Sequence, residues 1–230
     1  MTIKLYTLCG ANSKQTFSPH AWKSVLALHH KGLEFEEMPV PFTAIPNIEN
    51  GVSKTVPVIK DGSRVVADSF LIASYLEETY PDRPSLFGGP GGEAAARFVE
   101  SWTNVTLHGA LRSIILGNVH DCLAPEDQAY FRQSRETRMG KTLEEVAATR
   151  EQDIKSFSSH LAPLRLMLKS QPFIGGNTPL FGDHIVFGAL QWARIVSTVR
   201  LFEDNDPVEA WFERGLDLYG GAGRSVPAAA

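Results

Sequence analysis

Cysteine is scarce in this chain: only Cys9 and Cys122 occur in 230 residues. Two thiols so far apart build no disulfide framework, and a reducing, cytoplasmic setting fits them. Basic blocks are missing too. Lys and Arg number 22 against 26 Asp and Glu, a net charge of −4. That balance argues against nucleic acid and anionic membrane as partners. No uninterrupted apolar run approaches the length of a membrane span. The seven histidines are scattered. None has metal-ligand spacing with a cysteine or carboxylate, and the adjacent His29 and His30 would point to different sides of a helix, so no metal is expected. There is no internal repeat. Met1 to Tyr6 reads as a strand and not as a signal peptide.

What is present is the material of a globular protein: 43% hydrophobic and 21% charged residues, enough for one large domain or two small ones. The stretch Thr55-Val56-Pro57-Val58-Ile59, followed by Asp68-Ser69, organises the rest. The short β-branched run reads as a strand with Pro57 near its start, where a missing backbone donor is tolerated. A cis bond before Pro57 would turn the backbone of Val56 outward, free to pair with an extended peptide. Lys60 to Ser63 reads as a hairpin turn and Arg64 to Ala67 as the returning strand. Asp68-Ser69 then opens a helix over Phe70–Tyr80, with an anion site at its N-terminus. A small peptide carrying a terminal carboxylate would suit both features.

Upstream, Ile3 to Leu8 alternates as a first strand, and Cys9 to Phe17 is a polar loop. Ser18-Pro19 is a helix start: serine as N-cap, proline at the first helical position. That helix ends at Lys31-Gly32. Leu33 to Val40 reads as the second strand, and Pro41 to Lys54 as irregular. Pro81 to Pro84 and Gly88 to Gly92 bracket a linker. Beyond Glu93 strand signals nearly vanish. Phe98, Trp102, Val105, Gly109 and Leu116 keep helical spacing, Pro125 opens another helix, and Phe173 to Asn177 is a turn. Asp183 to Val199 is an apolar helix containing Trp192. Pro207 to Leu218 is a last short helix, and Gly220 to Ala230 an ordinary tail.

The order β-α-β, then β-β-α, then all helix resembles the glutathione transferases. Within them the chain looks closest to the etherase-related class, the bacterial lignin β-aryl-etherases and their fungal relatives. The residues that carry this are Ser18-Pro19-His20-Ala21-Trp22-Lys23, Leu28 to Gly32, Val56-Pro57-Val58-Ile59, Tyr80 to Pro84 and Asp217-Leu218-Tyr219. The resemblance implies an α/β thioredoxin-like N-terminal domain over residues 1–82. An all-α C-terminal domain over residues 92–230 would complete the glutathione transferase fold. It implies glutathione as co-substrate and a homodimer. One departure stands out. Members usually carry Ser or Thr three residues before the core-helix aspartate; here Leu180 precedes Asp183, so a side-chain capping box is not available.

The implied reaction is attack by the glutathione thiolate on an electrophile. Ser18, at a helix N-terminus, is placed to hydrogen-bond and stabilise the sulfur anion, as in serine-type enzymes of the family. Cys9 is the competing candidate for thiol chemistry, but no helix starts beside it, and an inert thiol fits better. Val56, ahead of Pro57, would pair with the cysteinyl unit through its backbone. Ser69 suits the γ-glutamyl carboxylate, and Asp68 the ammonium group. Lys54, with Thr55, would meet the glycine carboxylate. Phe17, Trp102 and Val105 are the expected acceptor pocket, wide enough for bulky phenolic compounds. The function implied is conjugation or β-aryl ether cleavage of aromatic electrophiles. The alternative is a ligandin-like carrier of aromatic compounds.

Overall fold

The computed structural model describes residues 2–230; Met1, expected at the start of the first strand, lies outside the described residues. Four strands form one mixed sheet. They are β1 (Ile3–Leu8), β2 (Phe35–Val40), β3 (Val58–Asp61) and β4 (Arg64–Ala67), in the order β2-β1-β3-β4. β1 runs parallel to β2, and β3 antiparallel to both β1 and β4. The parallel pair requires a crossover, which α1 (Pro19–His30) supplies. The hairpin closes at the Asp61–Arg64 pair, with Gly62 and Ser63 as its two turn residues and Gly62 at φ 57°. α2 (Ser69–Thr79) follows. This is the thioredoxin-like half.

The strand expected from Thr55 begins only at Val58. Thr55, Val56 and Pro57 stand outside the ladder. The stretch expected to be irregular holds a 3₁₀ segment, Phe42–Asn50.

The rest is helical: α3 (Pro90–Trp102), a π turn (Thr103–Leu107), α4 (His108–Asp121), α5 (Pro125–Met139), α6 (Leu143–Ala147), α7 (Arg150–His160), α8 (Ala162–Met167), α9 (Phe181–Val196) and α10 (Pro207–Gly221). α3 begins earlier than its composition suggests, taking Gly91 and Gly92 into its first turn. A side chain at Gly92 would lie 1.7 Å from the carbonyl of Phe87. The glycine there answers to packing, not to looseness.

α9 is the axis of the molecule. Fourteen of its residues are buried, among them Ile185, Val186, Phe187 and Leu190. Burying each large side chain contributes roughly 1.5–3 kcal/mol. α9 ends at Val196, three residues short of expectation, where Ser197 turns extended. At its start only half a capping box exists, because Leu180 has no side-chain acceptor. The Asp183 carboxylate takes the N–H of Leu180 at 3.0 Å, those of Ile174 and Gly175 at 2.8 and 2.9 Å, and the indole N–H of Trp211 at 3.1 Å.

The C-terminal segment is not a free tail. Val226 is buried, and Arg194 donates to its carbonyl at 2.9 Å. Gln191 donates to the Gly223 carbonyl at 2.7 Å, and the Ala229 N–H to the Arg194 carbonyl at 2.9 Å. The segment lies along α9 and covers Phe187.

Candidate active site

Ser18 is the N-cap of α1. Its backbone is extended and its Oγ accepts from the Ala21 N–H at 3.2 Å, while Pro19 takes the first helical position. Only 5% of Ser18 is exposed. The hydroxyl proton is free to donate elsewhere, since the cap uses a lone pair. α9 holds this helix end from beneath. A side chain at Gly188 would lie 2.3 Å from the Pro19 carbonyl. Only glycine lets the two backbones come this close.

Ser18 opens onto a cleft of ≈ 370 Å³ between the sheet domain and the helices. Phe17, Lys54, Thr55 and Val56 line the same cleft. The Val56–Pro57 peptide is cis. Among the described residues, the N–H and C=O of Val56 take part in no backbone hydrogen bond. Val56 thus presents a donor and an acceptor at the cleft, without a strand partner.

Asp68 and Ser69 do not line this cleft; they cap α2 beside it. Asp68 Oδ1 accepts from the N–H groups of Phe70 and Leu71 at 2.9 and 3.0 Å. Its own N–H donates to the Pro57 carbonyl at 3.2 Å, which ties the α2 cap to the cis-proline turn. Asp68 holds φ at 80°, a conformation that costs a non-glycine residue about 1–3 kcal/mol. Ser69 is buried. The Arg97 guanidinium, on α3, lies 3.4 Å over the ring of Phe70. Lys23, fully buried on α1, donates to Glu100 on α3 at 2.9 Å. Burial pushes the Lys23 ammonium below its usual pKa, and Glu100 and Asp68 pull it back up.

The opposite wall comes from α4 and α5. His108, Arg112, Leu116 and Val119 face the cleft from α4, and Tyr130, Phe131, Arg135 and Arg138 from α5. Trp102 and Val105 are absent from the lining; Val105 is 79% exposed. The π turn between α3 and α4 is the reason. It breaks the regular spacing and rotates the following face, so positions 108, 112, 116 and 119 turn inward instead. Phe42 reaches in from the 3₁₀ segment, its ring centroid 6.5 Å from Phe17 and 5.5 Å from Phe131. His20 and His108 meet edge to face at 5.1 Å, with Trp192 against His108 at 5.9 Å. Both imidazoles are held near a pKa of about 3, by burial first and by Lys23 in addition. They are neutral at physiological pH.

Cys9 is buried and its backbone N–H is bonded to the Val40 carbonyl at 3.0 Å. Burial, then Asp127, pushes its thiol pKa up, the opposite of what a nucleophile needs. Burial takes Cys122 up to about 12. Among the described residues there is no group of three or more potential metal ligands and no helix long and apolar enough to cross a membrane.

Residues 17–79 match the family model of the glutathione S-transferase N-terminal domain, and residues 94–213 that of the glutathione S-transferase C-terminal domain. The chain belongs to the glutathione S-transferase family. It is similar to the glutathione S-transferase-like protein ustS of Aspergillus flavus, with 28% identity over 211 residues, 79% of this chain and 75% of that protein. Among solved structures it resembles glutathione transferase GSTFuA3 from Phanerochaete chrysosporium. The TM-score is 0.78 at 27% identity, over 100% of this chain and 99% of that one. The glutathione S-transferase CsGST63524 of Ceriporiopsis subvermispora, solved in complex with glutathione, shares the fold at a TM-score of 0.82 and 23% identity, over all of both chains.

In this transferase fold, Phe17 and Ser18 from one stretch of sequence converge with Lys54, Thr55 and Val56 from another. The lining from α4 and α5 escaped the sequence reasoning. Arg135 and Arg138 do stand three residues apart, on one helix face. Nothing in the sequence says that this face meets Ser18.

Proposed function

We propose that this protein is a serine-type glutathione transferase of the etherase-related class, acting on hydrophobic aromatic electrophiles. The observation that carries the reading is Ser18 Oγ at the N-terminus of α1, in the same cleft as the unpaired backbone of Val56. The boundary between the glutathione-binding and helical domains falls between residues 82 and 92.

Glutathione lies extended along Val56, its cysteinyl N–H and C=O paired with that residue's backbone. The γ-glutamyl end goes to the cap of α2, the carboxylate to Ser69 and the ammonium to Asp68. Lys54 and Thr55 meet the glycine carboxylate. A free thiol has a pKa of about 8.5, so little thiolate exists at neutral pH. The Ser18 hydroxyl donates to sulfur, and the α1 dipole favours the anion at the same point. The thiolate attacks the acceptor carbon, and the leaving group departs with its electron pair. An aryl halide gives conjugation; a β-aryl ether gives cleavage with a phenolate leaving. The acceptor lies between Phe17 and the aromatic wall of Phe42, Tyr130, Phe131 and Trp192.

A homodimer accompanies this reading. Leu71 on α2, Phe98 on α3 and the π-turn residue Val105 are 55%, 74% and 79% exposed. Apolar side chains left this open suit a second copy.

The test is the thiol pKa of bound glutathione, by ultraviolet titration of the thiolate, in wild type and Ser18→Ala. The expected result is a value well below the free thiol in wild type, moved back up in the variant. Conjugation rate falls roughly a hundredfold with glutathione still bound. Binding of glutathione with an unshifted pKa, together with stoichiometric uptake of a phenolic ligand, would replace the enzyme by a carrier of aromatic compounds.

A further inference from the structure

The acceptor wall of the cleft is charged in one sense only. Arg112, Arg135 and Arg138 line it, and no Asp or Glu does among the described residues. Other arginines nearby are matched: Arg132 on the same helix holds Glu136 and Glu144 at 2.9 Å each. The three cleft arginines have no carboxylate partner among the described residues. Arg135 is half-buried, and its guanidinium carbon lies 4.8 Å from the Phe131 centroid and 5.4 Å from that of Phe42. Its one side-chain hydrogen bond goes to the neutral Ser134 hydroxyl at 3.2 Å. Burial, with repulsion from Arg138 and Arg112, lowers its pKa from the usual value. The rings stabilise the Arg135 guanidinium, but the three like charges still repel one another, and an anion among them relieves that repulsion.

From the unpaired Arg112, Arg135 and Arg138 beside Phe42, Tyr130 and Phe131, we infer that the acceptor half of the cleft selects an aromatic compound bearing a carboxylate. The ring stacks among the aromatics. Its carboxylate accepts from guanidinium N–H groups, in the forked geometry that arginine offers and lysine does not. This rests on the transferase reading of the cleft and names its substrate class. Glutathione's own carboxylates lie elsewhere, at the α2 cap and at Lys54, all on the sheet domain. The arginines belong to the facing helices.

Two pairs of probes test it. The unreactive pair is meta-nitrobenzoate and its methyl ester, whose binding is followed by tryptophan fluorescence with glutathione present. The reactive pair is para-chloro-meta-nitrobenzoate and its methyl ester. There the glutathione sulfur bonds to the ring carbon, the carbon–chlorine bond breaks, and chloride leaves with the electron pair. Wild type prefers the acid, and added salt erodes the preference. Arg135→Gln weakens acid binding about tenfold relative to the ester, as loss of a charge-assisted bond does. Arg135→Lys restores only part. Arg138→Gln, at an exposed position, shows the same sign whatever the first variant does to folding. The inference is overturned when acid and ester weaken together, or when the variants weaken glutathione binding in place of the acid. Acid preference without consumption of either chloro compound would end the transferase reading and leave the anion site standing.

Discussion

The carboxylate of Asp127, on α5, grips the backbone of Phe42 in the other half of the molecule. Oδ2 accepts from the Phe42 N–H at 2.9 Å, and Oδ1 from the Thr43 N–H at 2.9 Å. Asp127 is 2% exposed. It caps the 3₁₀ segment from outside the segment, and so fixes Phe42 between Phe17 and Phe131. Asp127→Ala leaves two N–H groups without a partner and is expected to destabilise the protein by about 2–3 kcal/mol. Asp127→Asn, which keeps one acceptor, loses less. Thermal unfolding measures both, and aromatic-ligand affinity should fall in the same order. An alanine variant as stable as wild type would remove the latch.

Gly188 offers a contrast between two glycines. A methyl group there meets the Pro19 carbonyl at 2.3 Å, whereas at Gly109, also helical, it meets nothing within 4 Å. Gly188→Ala should cost about 2 kcal/mol or more through overpacking, and should reduce glutathione turnover by shifting Ser18. Gly109→Ala should stabilise by roughly 0.5–1 kcal/mol through helix propensity. Denaturant titration of the pair separates close approach from propensity. Equal effects of one sign would contradict the packing at Pro19.

Tyr219 joins three parts of the chain through one hydroxyl. His30 Nε2 faces the Ser85 carbonyl at 3.0 Å, so it carries the proton and donates. His30 Nδ1, 2.8 Å from the Tyr219 hydroxyl, is then the acceptor, and the tyrosine donates. The Tyr219 oxygen in turn accepts from His184 Nε2–H at 3.0 Å. Both imidazoles are neutral in this chain, and burial lowers both pKa values. Tyr219→Phe strands a buried donor and a buried acceptor, and should cost about 2–3 kcal/mol. Chemical denaturation reads it. A change below experimental error would mean that the chain of bonds contributes no net stability.

Acid should destabilise this protein earlier than its carboxylates alone require. His20 and His108 titrate near 3 when folded and near 6.5 when unfolded. Between those values the unfolded chain binds more protons, so stability rises with pH and is lost as pH falls below 6.5. Each imidazole contributes up to about 1.4 kcal/mol per pH unit. His108→Gln removes one of them, so its stability should depend less steeply on pH between 6.5 and 4. Unfolding midpoints across that range are the measurement. Parallel profiles for variant and wild type would exclude His108 as a source.

The chain's local chemistry determined a good part of this protein. The Ser18-Pro19 start, the β-α-β order, the hairpin at Asp61-Gly62 and the Asp68 cap are written in neighbouring residues, because caps and turns are satisfied within a few positions. Val56, Lys54, Thr55, Phe17 and Ser18 could therefore be assembled into one cleft by resemblance of their short motifs. The facing wall could not. Whether Trp102 or His108 looks inward depends on a π turn that carries no sequence signature, and Phe42 is set by a carboxylate 85 residues away. The segment from Gly220 reads as an ordinary tail, glycine-rich at its start and alanine at its end, yet it closes over α9, where its carbonyls accept from Arg194 and Gln191. What only the tertiary structure decided is long-range: which helix faces meet, which buried groups find partners, and which arginines are left without one.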